Sequence, residues 1–489
     1  MHRTSGQLTR RGFFDRVCDG IYGTALATVL SGDFYGSMNP LMATETDPSL
    51  PDGHRRVYDL KPRAPHFPPK AKAVIHLYMN GGPSQVDLFD PKTTLEKHHG
   101  ETYNTAGGQS DVDHTGKLMR SPFAFKQYGK GGVWVSELMP HVAQHVDDIA
   151  LIRSMYTVHF NHEQALFMIH SGRPVPGRPS MGSWVVFGLG TENQNLPAYV
   201  VLDDPLGLPI NANWNWQNGF LPPLYQGTRL RSVGSPILDL QPDFQKSPGV
   251  ISAERDLIAR LDSIHKRSHP NELQLDARIS SYELAARLQI EASDALDVGK
   301  ETAATRDMYG IGQEPTDSYG RRCLMARRLV ERGVRFVQLY INGQIWDHHS
   351  GLESGMRDAS LRTDKPVAAL LADLKQRGLL DSTLVIWGGE FGRTPIAQTD
   401  AGPSAGRDHN PKGFSLWMAG GGVKPGVVYG STDDIGYEAV ENRVSVTDWH
   451  ATILHLLGLD YQKLVFDQSG LKEKVTSVYE ARIVKEILV

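Results

Sequence analysis

"RFVQLYINGQIWDHHSG", residues 335–351, joins an apolar run to an aspartate and two histidines. The run reads as a β-strand buried on both faces, since Gln338 alone interrupts its apolar and aromatic character. Asp347, His348 and His349 then fall just past a strand end, where open α/β sheets keep their ligand sites. Strand-like runs recur at 149–156, 198–202, 383–387 and 414–419, and "KAVIHLYMNGG" at 72–82 ends another in glycines. Helical patterns lie between them, at 136–147, 163–171, 319–332, 357–378 and 447–457. This alternation predicts an α/β domain: a mostly parallel sheet covered by helices.

The chain of 489 residues is long enough for a large core or for more than one domain. At 40% apolar and 22% charged it has the composition of a folded protein, not a disordered one. A net charge of -4 argues against a general electrostatic grip on nucleic acid. Two cysteines, Cys18 and Cys323, make neither a disulfide framework nor a zinc ribbon.

Arg10 and Arg11 precede a short, weakly apolar stretch, the pattern of a twin-arginine export signal over residues 1–35. The reading is of a periplasmic or otherwise exported protein; a basic helix start with no targeting value is the alternative. Asp19 and Asp33 interrupt the apolar part, which is too short to span a membrane. Residues 36–72, rich in Pro, Asp and Arg, read as an extended linker. The α/β domain is expected over 73–460, with a helical insertion at 251–310 and a C-terminal tail at 461–489. Residues 203–250 read as long loops.

Four stretches carry ligand-type side chains. In "MNGGPSQVDLFDPK" (79–92), Asn80, Ser84, Asp87 and Asp90 follow the first strand; they read as cation ligands or as an Asx turn with a helix cap. In "YTVHFNHEQALFMIHSGRP" (156–174), His159, Asn161 and His162 precede a helix whose N-terminus favours anions; capping or chance histidines are the alternative. Asp347 with one of the adjacent histidines offers one cation a mixed N/O ligand set. Only one of His348 and His349 faces inward in extended chain. In the fourth region, Glu390 and Arg393 of "IWGGEFGRTP" stand near Asp408 and His409 of "GRDHNPKGF". Arg393 offers a fork that matches phosphate or sulfate oxygens, or a structural ion pair with Glu390.

The order of "NGGPSQVDLFDPK", "WDHH", "GGEFGRTP", "GRDHNP" and "VTDWHATILHLLGLD" resembles the domain of unknown function 1501 family, a sulfatase-like branch of the alkaline-phosphatase superfamily. The resemblance implies an alkaline-phosphatase-like three-layer α/β sandwich. It implies one or two divalent cations (zinc, calcium, magnesium or manganese) and a sulfate or phosphate ester substrate, a small molecule or carbohydrate. Carried over by position, Asp347, His349 and His409 resemble the ligands of one metal, and Glu390 falls where the second metal's Asp-His pair usually lies. Phe391 after it departs from that pattern. The nucleophile position falls on His162 or Asn161, where no Cys, Ser or Thr stands, so formylglycine chemistry is not supported. Metal-activated water, a covalent His162 and Ser84 are the remaining routes. The other class is a catalytically inactive protein that kept the fold for binding or assembly with a partner protein.

Overall fold

The structure is a computed structural model that describes residues 58–104, 115–232, 247–268, 294–341, 343–398, 401–468 and 470–489, with 279 and 284. The Arg10–Arg11 segment and the first part of the 36–72 linker lie outside the described residues, as does most of 269–293.

Among the described residues nine strands make the central sheet: β1 (Ala73–Tyr78), β2 (Ile149–Tyr156), β3 (Tyr199–Leu202), β4 (Thr228–Leu230), β5 (Phe336–Tyr340), β6 (Thr383–Gly388), β7 (Phe414–Ala419), β8 (Val427–Tyr429) and β9 (Val444–Ser445). Their order is β8-β2-β7-β6-β1-β5-β3-β4, with β9 also on the outer edge of β2. Only β7 runs antiparallel, against β6 and β2. The other pairings are parallel. The carboxyl ends of β1, β2, β5 and β6 therefore open on one edge.

Period-two alternation sends side chains to two cores. Ile75, Leu77, Val337 and Trp387 pack with helices α4 (Asp317–Glu331) and α5 (Leu352–Gln376). Val74, Tyr78, Tyr340 and Ile386 pack on the other face with α1 (His162–Ser171), α2 (Met181–Leu189) and α6 (Val446–Leu456). Between them in sequence α3 runs over Pro248–Ser268. The three layers match the expected sandwich. Across β6 and β7, Trp387 and Trp417 are register partners with parallel rings 6.0 Å apart.

Both ends of the described chain pack onto the body. Ala71 N–H and Lys70 N–H donate to the Leu456 carbonyl at 2.9 Å, and Lys424 N–H donates to the Ile487 carbonyl at 2.8 Å. The helix expected over 136–147 is instead the end of a strand, Val133–Ser136, followed by a short 3-10 turn, Val142–Asp148. Pro140 explains the difference, because proline blocks a helix interior. An unpredicted hairpin, Gly392–Ala397 with Arg407–Asn410, projects from the carboxyl end of β6.

Candidate metal centre

Each site residue is placed by a strand end. α1 begins six residues after β2; the Asn161 side chain accepts the Glu163 N–H to cap it, and Gly172 ends it at φ +76°. His162 is thus the first helical residue, buried above the sheet edge. After β5 the chain turns so that Asp347 N–H donates to the Gln344 carbonyl at 2.9 Å. Gly81, at φ +106°, lets the loop after β1 press against that turn: a Cβ there would lie 2.7 Å from the Asp347 nitrogen. Glu390 and Arg393 follow β6, and His409 sits on the hairpin's return strand opposite Arg393.

These side chains converge on the Asp347 carboxylate. His162 Nε2 is 3.3 Å from Oδ2. His349 Nε2 and His409 Nε2 are 3.0 and 3.5 Å from Oδ1. The Nε2 atoms of His349 and His409 are 3.0 Å apart. The second nitrogen of each ring meets an oxygen acceptor. His162 Nδ1 donates to Glu390 Oε1 at 2.6 Å, His409 Nδ1 to the Phe160 carbonyl at 2.8 Å, and His349 Nδ1 to the Gln398 carboxamide oxygen. A neutral imidazole with its proton on Nδ1 presents a lone pair at Nε2. Three such lone pairs face one carboxylate.

Such lone pairs repel unless a proton or cation joins them. His162 Nε2 and Asp347 Oδ1 are buried without a hydrogen bond of regular geometry. Among the described residues two groups bring ligand atoms within 4.8 Å of one another and could hold a cation: His162, Asp347 and His409; and His349, Asp408 and His409. The donor set fits a divalent ion, and both groups include His409.

Burial alone would raise the Asp347 carboxyl, but the His162 and His409 imidazoles and the Arg393 guanidinium beside it hold it far below its ordinary value. For His162, burial is outweighed by the Asp347 and Glu390 carboxylates, which raise the imidazole. Burial lowers His409. The Glu390 carboxyl, fully buried, stays below its ordinary value because His162 and Tyr78 donate to it.

The expected site residues divide. Asp347, His349 and His409 come together, and His162 joins them. Glu390, expected as a further ligand or a base, stands behind His162 and outside both ligand groups: its oxygens accept from His162, Tyr78 and the Gly81 amide. Arg393 is not an open anion fork. Its guanidinium pairs with Asp347 at 2.6 Å and donates to the carbonyls of Gly81, Gly82 and Arg407. Ser84 is fully buried, and its hydroxyl donates to Asp87. His159 accepts the Asn161 N–H and stacks on Phe160, while Asn161 caps α1, so neither joins the cluster. His348 packs instead over Gly355 on α5, and burial pushes its pKa down to about 4.

Tyr78, the Phe160 carbonyl and Gln398 were not expected at the site. The pair His76 and Tyr78, two polar groups on one face of a buried strand, was a legible signal for the first. Backbone acceptors leave no trace in sequence. Phe391, read as a departure, packs its ring against His162 and His409 at 4.8 and 4.7 Å.

Among solved structures, the chain is similar to the PsFucS1 sulfatase from Pseudoalteromonas sp. at 14% identity and TM-score 0.38, over 85% of this chain and 72% of that one. It is similar to the lipoteichoic acid synthase LtaP from Listeria monocytogenes at 10% identity and TM-score 0.34, over 81% and 74%. It is also similar to the alkaline phosphatase from the Antarctic bacterium TAB5 at 10% identity and TM-score 0.29, over 75% and 96%. No curated protein sequence matches. The sequence profile of the protein of unknown function family DUF1501 matches residues 71–488, and the chain belongs to that family.

Proposed function

We propose that this protein is a metal-dependent hydrolase of a sulfate or phosphate ester, a small molecule or a carbohydrate. One observation carries the metal half of the reading: three imidazoles with their Nδ1 protons engaged turn their Nε2 atoms to one half-buried carboxylate. His162, Asp347, His349 and His409 would hold the ion. Three nitrogens and one carboxylate suit zinc or manganese better than the oxygen-seeking calcium or magnesium. A divalent ion there supplies Lewis-acid polarisation of an ester oxygen and acidifies water. Arg393 neutralises and orients Asp347, and Phe391 screens one side of His162 and His409 from water. The ester class rests on the motif resemblance. Export through the Arg10–Arg11 segment belongs to the same proposal, and no helix among the described residues is long and apolar enough to cross a membrane.

The test is turnover of a panel of sulfate and phosphate esters by the full chain with zinc or manganese supplied. Turnover that follows metal content and disappears in His409→Ala supports the proposal; full retention in His409→Ala contradicts it. A specific observation favours a second reading, an inactive binding protein: Ser84 is sequestered, and Arg393 is already engaged. Metal bound without turnover of any ester would select that reading.

A further inference from the structure

We infer that Glu390, held by Tyr78 and the Gly81 amide, is the positioning residue that sets His162 as the strongest nitrogen donor of the cation site. This rests on the metal reading above. The Glu390 carboxylate is 1% exposed and takes three donors, two from the 78–81 stretch and one from His162. Oε2 accepts from the Tyr78 hydroxyl at 2.9 Å, at the last residue of β1. Oε1 accepts from Gly81 N–H at 3.1 Å and from His162 Nδ1 at 2.6 Å. With two partners fixing its position, the carboxylate fixes the ring in turn. The proton stays on Nδ1, and Nε2 is aimed at Asp347.

The three imidazoles are not held alike. His409 donates to a backbone carbonyl and His349 to a carboxamide, with the Asp408 carboxylate 3.8 Å from His349 Nδ1; only His162 has a carboxylate at hydrogen-bond distance, 2.6 Å. A charged acceptor behind a ligating imidazole raises its basicity and fixes its tautomer, and loss of such a partner typically lowers metal affinity about 10–100-fold. A role confined to folding gives no reason for this asymmetry. A buried carboxylate is costly at a strand end unless its charge is used.

The experiment measures cobalt(II) affinity of the full chain by chelator competition, with the visible d–d absorption of bound cobalt as a signature of ligand geometry. The variants are Glu390→Gln, Tyr78→Phe, His162→Ala and the double variant Glu390→Gln/His162→Ala. Glu390→Gln is expected to weaken binding about 10–100-fold and to alter the d–d spectrum. Tyr78→Phe, which keeps the ring and its packing, should act in the same direction by less. In the His162→Ala background Glu390→Gln should add no further loss, since its effect passes through His162. An equal loss in both backgrounds, or none in either, overturns the inference while leaving the metal site standing. A wild-type chain that binds no cobalt overturns the metal reading and this inference together.

Discussion

Replacing Asp87 with alanine strands a buried guanidinium beneath the site. Neither Asp87 nor Arg407 exposes any side-chain surface. Arg407 Nε is 2.7 Å from Oδ2 and Nη2 is 3.1 Å from Oδ1, a two-pronged pair, and Ser84 adds a third donor. The partners left to Arg407 would be the carbonyls of Thr394 and Arg120 at 3.2 and 3.3 Å, which cannot neutralise it. Removing one member of a desolvated pair costs about 3–5 kcal/mol. The control is Asp358→Ala, whose partner Arg362 is 40% exposed; that loss should stay near 0.5 kcal/mol or below. Urea unfolding followed by tryptophan fluorescence compares them, with the Trp387–Trp417 stack as the buried reporter. An apolar pair, Asp87→Leu/Arg407→Met, should recover most of the loss because both charges leave together. Arg407 precedes Asp408 and His409, so Asp87→Ala should also weaken cation binding. If Asp87→Ala cost no more than Asp358→Ala, the argument from desolvation would be refuted.

Ser84→Ala should cost about 1 kcal/mol and leave bound metal and turnover intact, because the hydroxyl serves Asp87; loss of turnover with metal retained would make Ser84 the nucleophile. The adjacent histidines should separate: His349→Ala weakens cation binding and His348→Ala does not, as titration with zinc would show. The pH dependence has a definite sign. His162 is raised above its ordinary value, so without metal its proton stabilises the folded chain at low pH, an effect that fades as pH rises through the folded value. A cation must displace that proton, so affinity should rise with pH over the same window, above about 6.5. A binding midpoint well below that, in chelator-competition titrations across the range, would contradict the placement of His162 between two carboxylates.

The sequence exposed the strands of the sheet well, because burial on both faces leaves near-continuous apolar runs at 149–156, 383–388 and 414–419. It exposed α2 poorly. "MGSWVVFGL" is buried nearly all round, so it has no polar face to set a helical period. The hairpin at 392–397 and 407–410 was illegible for the opposite reason: its strands hold Arg, Pro, Asp, His and Asn and lie off the main sheet. At the site, the ligand types were readable as Asp347, His349 and His409, each near a strand end or its projecting hairpin. Their supports were not. That the Phe160 carbonyl would meet His409, or that the Gly81 and Gly82 carbonyls would occupy Arg393, depends on contacts between segments about 250 and 310 residues apart. A guanidinium in sequence announces its charge but not its partners.

Bound-metal content tests the central claim most directly, measured by mass spectrometry on full-length protein purified without chelator or metal-affinity tag. Both ligand groups include His409, whose Nδ1 donates to the Phe160 carbonyl and so leaves Nε2 for a cation. About one equivalent of divalent metal per chain is therefore expected, lost in the Asp347→Ala/His409→Ala variant. A folded wild-type chain with no metal above background, even after zinc or manganese is supplied, would contradict it.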